Sequence, residues 1–437
     1  MRRLALIALA VTIVLPSAAQ ARFSAPEVVA EASGLHRGFV AAADAEGRLT
    51  VATRAPRLGF PSRPGPPRLI ERRPGGTWSE LPTVPGIAAG VYETSIAAAG
   101  DGALALAWWV VARSSSIQVA VRKPGGTLSE AIEIAGAEAG GVDHPAIAVD
   151  AAGDVLVAYQ TRTTASHLRL QGRVALAYRP AGSSSFTEPI VVERGLSNPP
   201  VVALAQDGTG IVAWTRRQTL MAVTVGSDGT VGTPMRVARS VLGRPVVAAG
   251  RGSAASIAYR VNETASDGKR RPARIRYSLR VLSRASAGPF ARPRSVFRGA
   301  QIGRGLALAA DEQGRATLAW TGVAAATTGA VPSRVWIAAG RVGRSFGRPR
   351  AVAPHDDPGG ESIAVAARNG HVALAWRLAA PERSTGVQVA AGRWNEGLEP
   401  ELIPTDPPVE RPVVVVTGSG HTSVLWRAGK LWVSSGP

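Results

Sequence analysis

The stretch Leu306-Ala-Leu-Ala-Ala-Asp-Glu-Gln-Gly314-Arg-Ala-Thr-Leu-Ala-Trp320 decides the fold. It is an apolar run, a turn closed by glycine, and a second apolar run ending on an aromatic ring. Ile147-Ala-Val-Asp-Ala-Ala-Gly153-Asp-Val-Leu-Val-Ala-Tyr159 repeats it. Turn residue and terminal residue stand six apart in both. The same interval of six holds in Gly47/Thr53, Gly102/Trp108, Gly208/Trp214, Ser253/Tyr259, Gly370/Trp376 and Gly420/Trp426. The apolar spacing is two, the period of a strand and not of a helix. Each copy therefore predicts two strands, A and B, around a tight turn.

A second pattern alternates with the first: an aromatic or apolar residue, a few small or polar ones, usually proline, then a β-branched pair. It begins at Phe23, Trp78, Leu128, Phe186, Val231, Phe290, Phe346 and Leu398, a mean period of about 54 residues. Repeats of roughly 40–50 residues that hold four short strands mark the blades of a β-propeller. The expected order is A, glycine turn, B, variable loop, C, tight turn, D. Strand B, as in Leu104-Ala-Leu-Ala-Trp108, is apolar on both sides. That suits a sheet sandwiched between neighbours, and alternating Ala with bulk lets twisted sheets interdigitate.

A D-type segment, Phe23 to Ala30, precedes any A strand, and the last repeat ends after its C strand. The N-terminal segment is therefore expected to complete the last blade. Eight A–B units and eight D units imply an all-β, eight-bladed propeller spanning 22–437 as one domain. Seven blades and a stray hairpin are the alternative.

Arg2 and Arg3, an apolar run from Leu4 to Leu15, Pro16 and the small-x-small triplet Ala19-Gln20-Ala21 read as a secretory signal peptide over residues 1–21, cleaved after Ala21. No later apolar run is long enough to span a bilayer, so the expectation is a secreted monomer. The chain has no cysteine. Disulfide scaffolds, thiolate metal sites and cysteine nucleophiles are excluded. Lys+Arg 50 against Asp+Glu 31 gives a net charge of +19, and only Lys123, Lys269 and Lys430 are lysines. An arginine excess of this kind has two readings: genome composition on a solvated surface, or attraction to an acidic glycan or wall polymer. A nucleic acid is not expected.

The turns Pro74-Gly-Gly-Thr-Trp78, Pro124-Gly-Gly-Thr-Leu128 and Ser227-Asp-Gly-Thr-Val231 resemble the Asp-box of bacterial-neuraminidase repeats, Ser-x-Asp-x-Gly-x-Thr-Trp, with the Asp missing from most copies. The resemblance, to the sialidase superfamily, covers the mature chain as architecture. It implies a structural role for the box, away from any active site. Sialidases use an arginine triad, a Tyr–Glu pair and an acid/base Asp. Here no Arg-Ile-Pro motif stands near the mature N-terminus. Only Tyr92, in an expected inter-blade loop, has Glu93 beside it, and adjacent strand residues face opposite ways.

No histidine spacing suggests a metal site; His371 and His421, each following a turn glycine, read as exposed turn residues. No cofactor is implied. In an up-and-down meander the B–C and D–A loops share one face, and the B–C loops vary in length, which is where binding usually resides. Aligning the repeats places Arg37, Glu93, Asp143, Pro199, Arg244, Arg304, Glu361 and Arg411 on the approach to strand A, at the mouth of the axial channel. Four Arg and three acids there could orient a polar or acidic ligand, or simply pair with one another at a wet rim. Binding candidates are Arg37, Arg244, Arg304 and Arg411, with Lys269, Arg270 and Arg271 in a long B–C loop on the same face. Glu93, Asp143 and Glu361 are the carboxylates to inspect if the protein is an enzyme. The sequence thus favours a non-catalytic binding or scaffolding module for an extracellular glycan, wall polymer or protein. The alternative is a diverged sialidase-like glycoside hydrolase or lyase.

Overall fold

In a computed structural model the structure describes residues 23–31, 38–53, 65–87, 90–111, 115–136, 141–163, 171–195, 197–263, 276–324, 334–354, 363–378, 386–405, 409 and 411–437. Among these residues every element is a strand, and every pairing between strands is antiparallel. Among the described residues no helix is long and apolar enough to cross a membrane. The signal-peptide segment, Arg37, Lys269, Arg270, Arg271 and Glu361 lie outside the described residues.

The A–B hairpin forms for a local reason. All seven turn glycines have positive φ, from +70° to +95°. That region is free to glycine and costly to other residues; in the eighth of these turns Ser253 occupies it with a side chain, at φ 63°. Six residues on, the ring enters the core: Trp108, Tyr159, Trp214, Tyr259, Trp320, Trp376 and Trp426 are all at most 1% exposed, as is Thr53. Strand B buries both faces, with Leu104 through Trp108 essentially inaccessible.

Among the described residues the strands form seven sheets, six of four strands and one of seven. This differs from the expected eight separate sheets because of one strand, Arg294–Ala310. Its first part, Arg294 to Gly299, pairs with Tyr277–Arg284 as a D strand. Its second part pairs with Arg315–Ala324 as an A strand. Two four-strand meanders are thereby fused. No proline or tight turn interrupts 294–310, so the strand continues through two register shifts at Gly299 and Ile302.

The inner strands touch one another in succession around an axis, from Phe39–Ala43 and Val91–Ala98 onward to Val413–Val416, which returns to Phe39–Ala43. The ring is sealed by both ends of the described chain. Glu27–Ala30 pairs antiparallel with Lys430–Gly436. Ser24 adds a backbone bond to Ser435 O at 2.8 Å and accepts from Ser434 Oγ at 2.6 Å. Phe23, Val29 and Ala30 are buried there and Val28 is half-buried. This all-β meander architecture is a β-propeller.

Candidate functional site

The D–A connections carry the chain to one end of the axis, and there the structure brings three of the sequence candidates together. Glu93 comes from Val91–Ala98, Asp143 from Val142–Val149 and Arg244 from Val241–Gly250. Their common neighbour is His144. Its Nδ1 lies 2.7 Å from Glu93 Oε2, and its Nε2 lies 3.9 Å from Asp143 Oδ2. The backbone allows this because pairing shifts register between Asp143 and Ala146 and His144 turns to φ 50°, just before Pro145. The hydrogen bond to Glu93 raises the His144 pKa, against the opposing effect of burial, and the Asp143 charge adds to the rise. Arg244 pulls the other way. Its Nη2 donates to Pro200 O at 2.6 Å. It reaches solvent, yet the surrounding protein pushes its pKa down while Glu93 opposes that shift.

An aromatic wall adjoins this group. Trp109 stacks at 5.3 Å from Tyr92 and 6.3 Å from His144, between ring centroids. Ser115 fixes the indole: its Oγ accepts from Trp109 Nε1 at 2.8 Å and donates to Val142 O at 2.7 Å. Tyr92 lies within the strand Val91–Ala98 and not in an inter-blade loop. It faces Trp109 while Glu93 faces His144, so the two do not form a nucleophile pair. Arg304 and Arg411 engage partners of their own.

The opposite end of the axis holds a cavity of about 530 Å³, lined by A–B turns, that sequence reasoning did not single out. Arg368 reaches into it, with Nε 3.4 Å from Glu312 Oε1 and Nη2 donating to Ala98 O at 3.3 Å. Asp150 lines the same cavity; burial, reinforced by Asp154, pushes its pKa up to about 7. His371 is not an exposed turn residue. It opens the strand His371–Leu378 and is half-buried, because the turn glycine Gly420 of the next sheet packs against its ring. Asp228 accepts from Thr230 N at 2.9 Å and Thr230 Oγ1 at 2.6 Å within its own turn. Among the described residues no group of three His, Asp or Glu could hold a metal ion.

His144 was missed because nothing local marks it; only the fold brings it to Glu93, 51 positions away. A second missed set did have a signal. Arg72, Arg122, Arg179, Arg341 and Arg393 each stand opposite the first residue of a B strand, and Arg284 stands opposite the second residue of its own. Arg122 forms a buried ion pair with Glu71 of the preceding sheet, and Arg72 pairs with Glu27 at 3.1 Å. Part of the arginine excess therefore joins one sheet to the next.

No protein-family model and no curated protein matches the chain in sequence. Solved structures do match in shape. The Dos1 propeller superposes with a TM-score of 0.50 at 9% identity, covering 95% of each chain. This likeness shows the fold, a β-propeller. The β-propeller domain of the Trilobed protease from Pyrococcus furiosus has a TM-score of 0.45 at 10% identity, over 78% of this chain and 95% of that one. The Aleuria aurantia lectin has 0.38 at 12% identity, over 85% and 96%.

Proposed function

We propose that this chain is an eight-bladed propeller, exported with loss of residues 1–21, that acts as a non-catalytic binding or scaffolding module. Its ligand is an extracellular glycan, a wall polymer or a protein, held at the axial mouth. The strand Arg294–Ala310 counts toward two blades in this reading. The observation that carries it is the convergence of Glu93, His144, Asp143 and Arg244 beside the Tyr92–Trp109 wall. Aromatic faces next to a few fixed polar groups make a site that recognises a polyhydroxylated ligand by stacking and hydrogen bonding. Glycoside hydrolysis needs two carboxylates about 5–9 Å apart with the sugar between them. Here one imidazole occupies the space between Glu93 and Asp143, which favours recognition over turnover.

The test is a glycan array on the intact mature protein, read for binding and for released reducing sugar. Binding without release, weakened at least tenfold in Trp109→Ala and Arg244→Ala, supports the proposal. Release of sugar that disappears in Glu93→Gln would replace it with the hydrolase reading. Binding that ignores both substitutions would move the site elsewhere.

A further inference from the structure

A second concave surface lies on the outer wall, away from the axis. It is a groove of about 710 Å³ between the turn 285–293 and the turn 343–349. Arg292, Arg294, Arg344 and Arg348 line it, and no acidic residue does. All four are exposed, and among the described residues none of their guanidinium groups has an ion-pair or hydrogen-bonding partner. Other arginines of this chain are paired: Arg68 with Glu80, Arg280 with Glu263, Arg315 with Asp311. Four unneutralised like charges around one hollow raise the local potential and concentrate anions there. Arg292 and Arg294 stand on one side of the groove, at and just before the start of the strand, and Arg344 and Arg348 stand in the turn on the other. They offer a row of cations, where a single point would suit only a small ion.

The one ring in the groove, Phe346, is half-buried against Gly340 of its own sheet, where a Cβ would come within 2.8 Å of it. It is not free to act as a stacking platform, which single-stranded nucleic acids need. Ser283, Ser295 and Ser345 supply the rest of the polar lining. We propose that this groove binds an acidic polysaccharide, a chain of carboxylated or sulfated sugars lying along the four arginines. The site is separate from the axial mouth and stands or falls independently of it.

The experiment titrates heparin against the intact protein at low and at physiological salt. It compares the parent with Arg292→Ser/Arg294→Ser/Arg344→Ser/Arg348→Ser and with a control, Arg236→Ser/Arg239→Ser, on exposed arginines of another sheet. The expected result is heparin binding that weakens at least tenfold in the groove variant. It changes less than twofold in the control, with melting temperatures unchanged. Binding should also fall steeply with salt, since the Debye length is about 8 Å at physiological ionic strength. A loss in proportion to charge removed from either surface overturns the groove. Absence of heparin binding at low salt overturns the ligand class, as does groove-dependent binding of polyglutamate as tight as that of heparin.

Discussion

The two ends of the axis are built from different kinds of contact. At the turn end, neighbouring A–B turns are tied through backbone groups. Gly418 N donates to Ala45 O at 2.9 Å, and Ala45 N donates to Gly100 O at 3.1 Å. Gly370 N donates to Asp311 Oδ2 at 2.8 Å, and Asn369 N to Glu312 Oε2 at 3.0 Å. At the mouth the contacts join side chains that are partly open to water, with His144 35% and Glu93 32% exposed. Backbone ties between rigid turns fix the spacing of the sheets. Solvated side-chain contacts can be exchanged for those of a ligand at little cost. The turn end should therefore govern stability and the mouth recognition.

The largest effect should come from removing what both ends depend on, the closed ring. Deleting 22–30 takes out Phe23 and Val29, each contributing roughly 1.5–3 kcal/mol by burial. It also exposes Lys430–Gly436 as an unpaired edge. The melting temperature should fall by about 10 °C or more, or the protein should aggregate. A truncated chain melting within a degree or two of the parent would mean that turn-to-turn ties alone hold the circle.

Next comes the buried pair at the turn end. Glu71 and Arg122 are both almost inaccessible, and Thr50 Oγ1 donates to the same carboxylate at 3.3 Å. Glu71→Ala leaves a buried guanidinium without its counter-charge, a cost of about 3–5 kcal/mol in denaturant unfolding. Replacing both partners, Glu71→Leu with Arg122→Met, should cost far less. Equal losses in the two variants would show that the carboxylate packs the joint without pairing charge.

The parts of this molecule that were legible in the sequence are those the chain repeats. A positive-φ turn followed six residues later by a core ring is a local requirement, so it recurs and can be aligned. Closure by Phe23 to Ala30 was legible because a D strand without its own A strand needs a partner. The anchor residues Leu128, Phe186, Val231, Phe290 and Phe346 each stand four positions ahead of their D strand, so the second pattern was local too. Fusion of two sheets through Arg294–Ala310 was not legible, since it depends on the absence of a break. The approach to strand A pointed to Glu93, Asp143 and Arg244. The ring that joins two of them, His144, belongs to a contact between sheets, and no periodicity within one repeat encodes that.

Asp150 offers a smaller test of the turn end. Its Oδ1 accepts from Gly153 N at 3.0 Å and Asp154 N at 2.9 Å, which an asparagine oxygen can also do. Burial and the nearby Asp154 raise its pKa from 3.8 to about 7 in the folded protein. The folded state therefore binds more protons than the unfolded one across that window. Stability must fall as pH rises through it. Asp150→Asn should match the parent near pH 3, below the unfolded value, and exceed it by about 1 kcal/mol or more at pH 8. An unchanged pH profile would mean that the charge is already relieved by solvent.

The smallest effect on stability should come from the mouth, and its sign with pH is fixed. Bonding to Glu93 raises the folded pKa of His144 above its ordinary 6.5. The stabilisation from the Glu93–His144 pair is therefore complete below the unfolded value and is lost as pH rises through the folded one. Glu93, Asp143, Arg244 and Trp109 all face the imidazole, and only Arg244 opposes its charge. His144→Gln should destabilise by at most about 1 kcal/mol at pH 5.5, since a pair this exposed is weakened by solvent. The difference should shrink toward zero by pH 9, while glycan binding falls at every pH. Urea melts of parent and variant at three pH values measure it. A pH-independent loss as large as that of Glu71→Ala would make the mouth a structural joint like the turn end, and the contrast between the two ends would be gone.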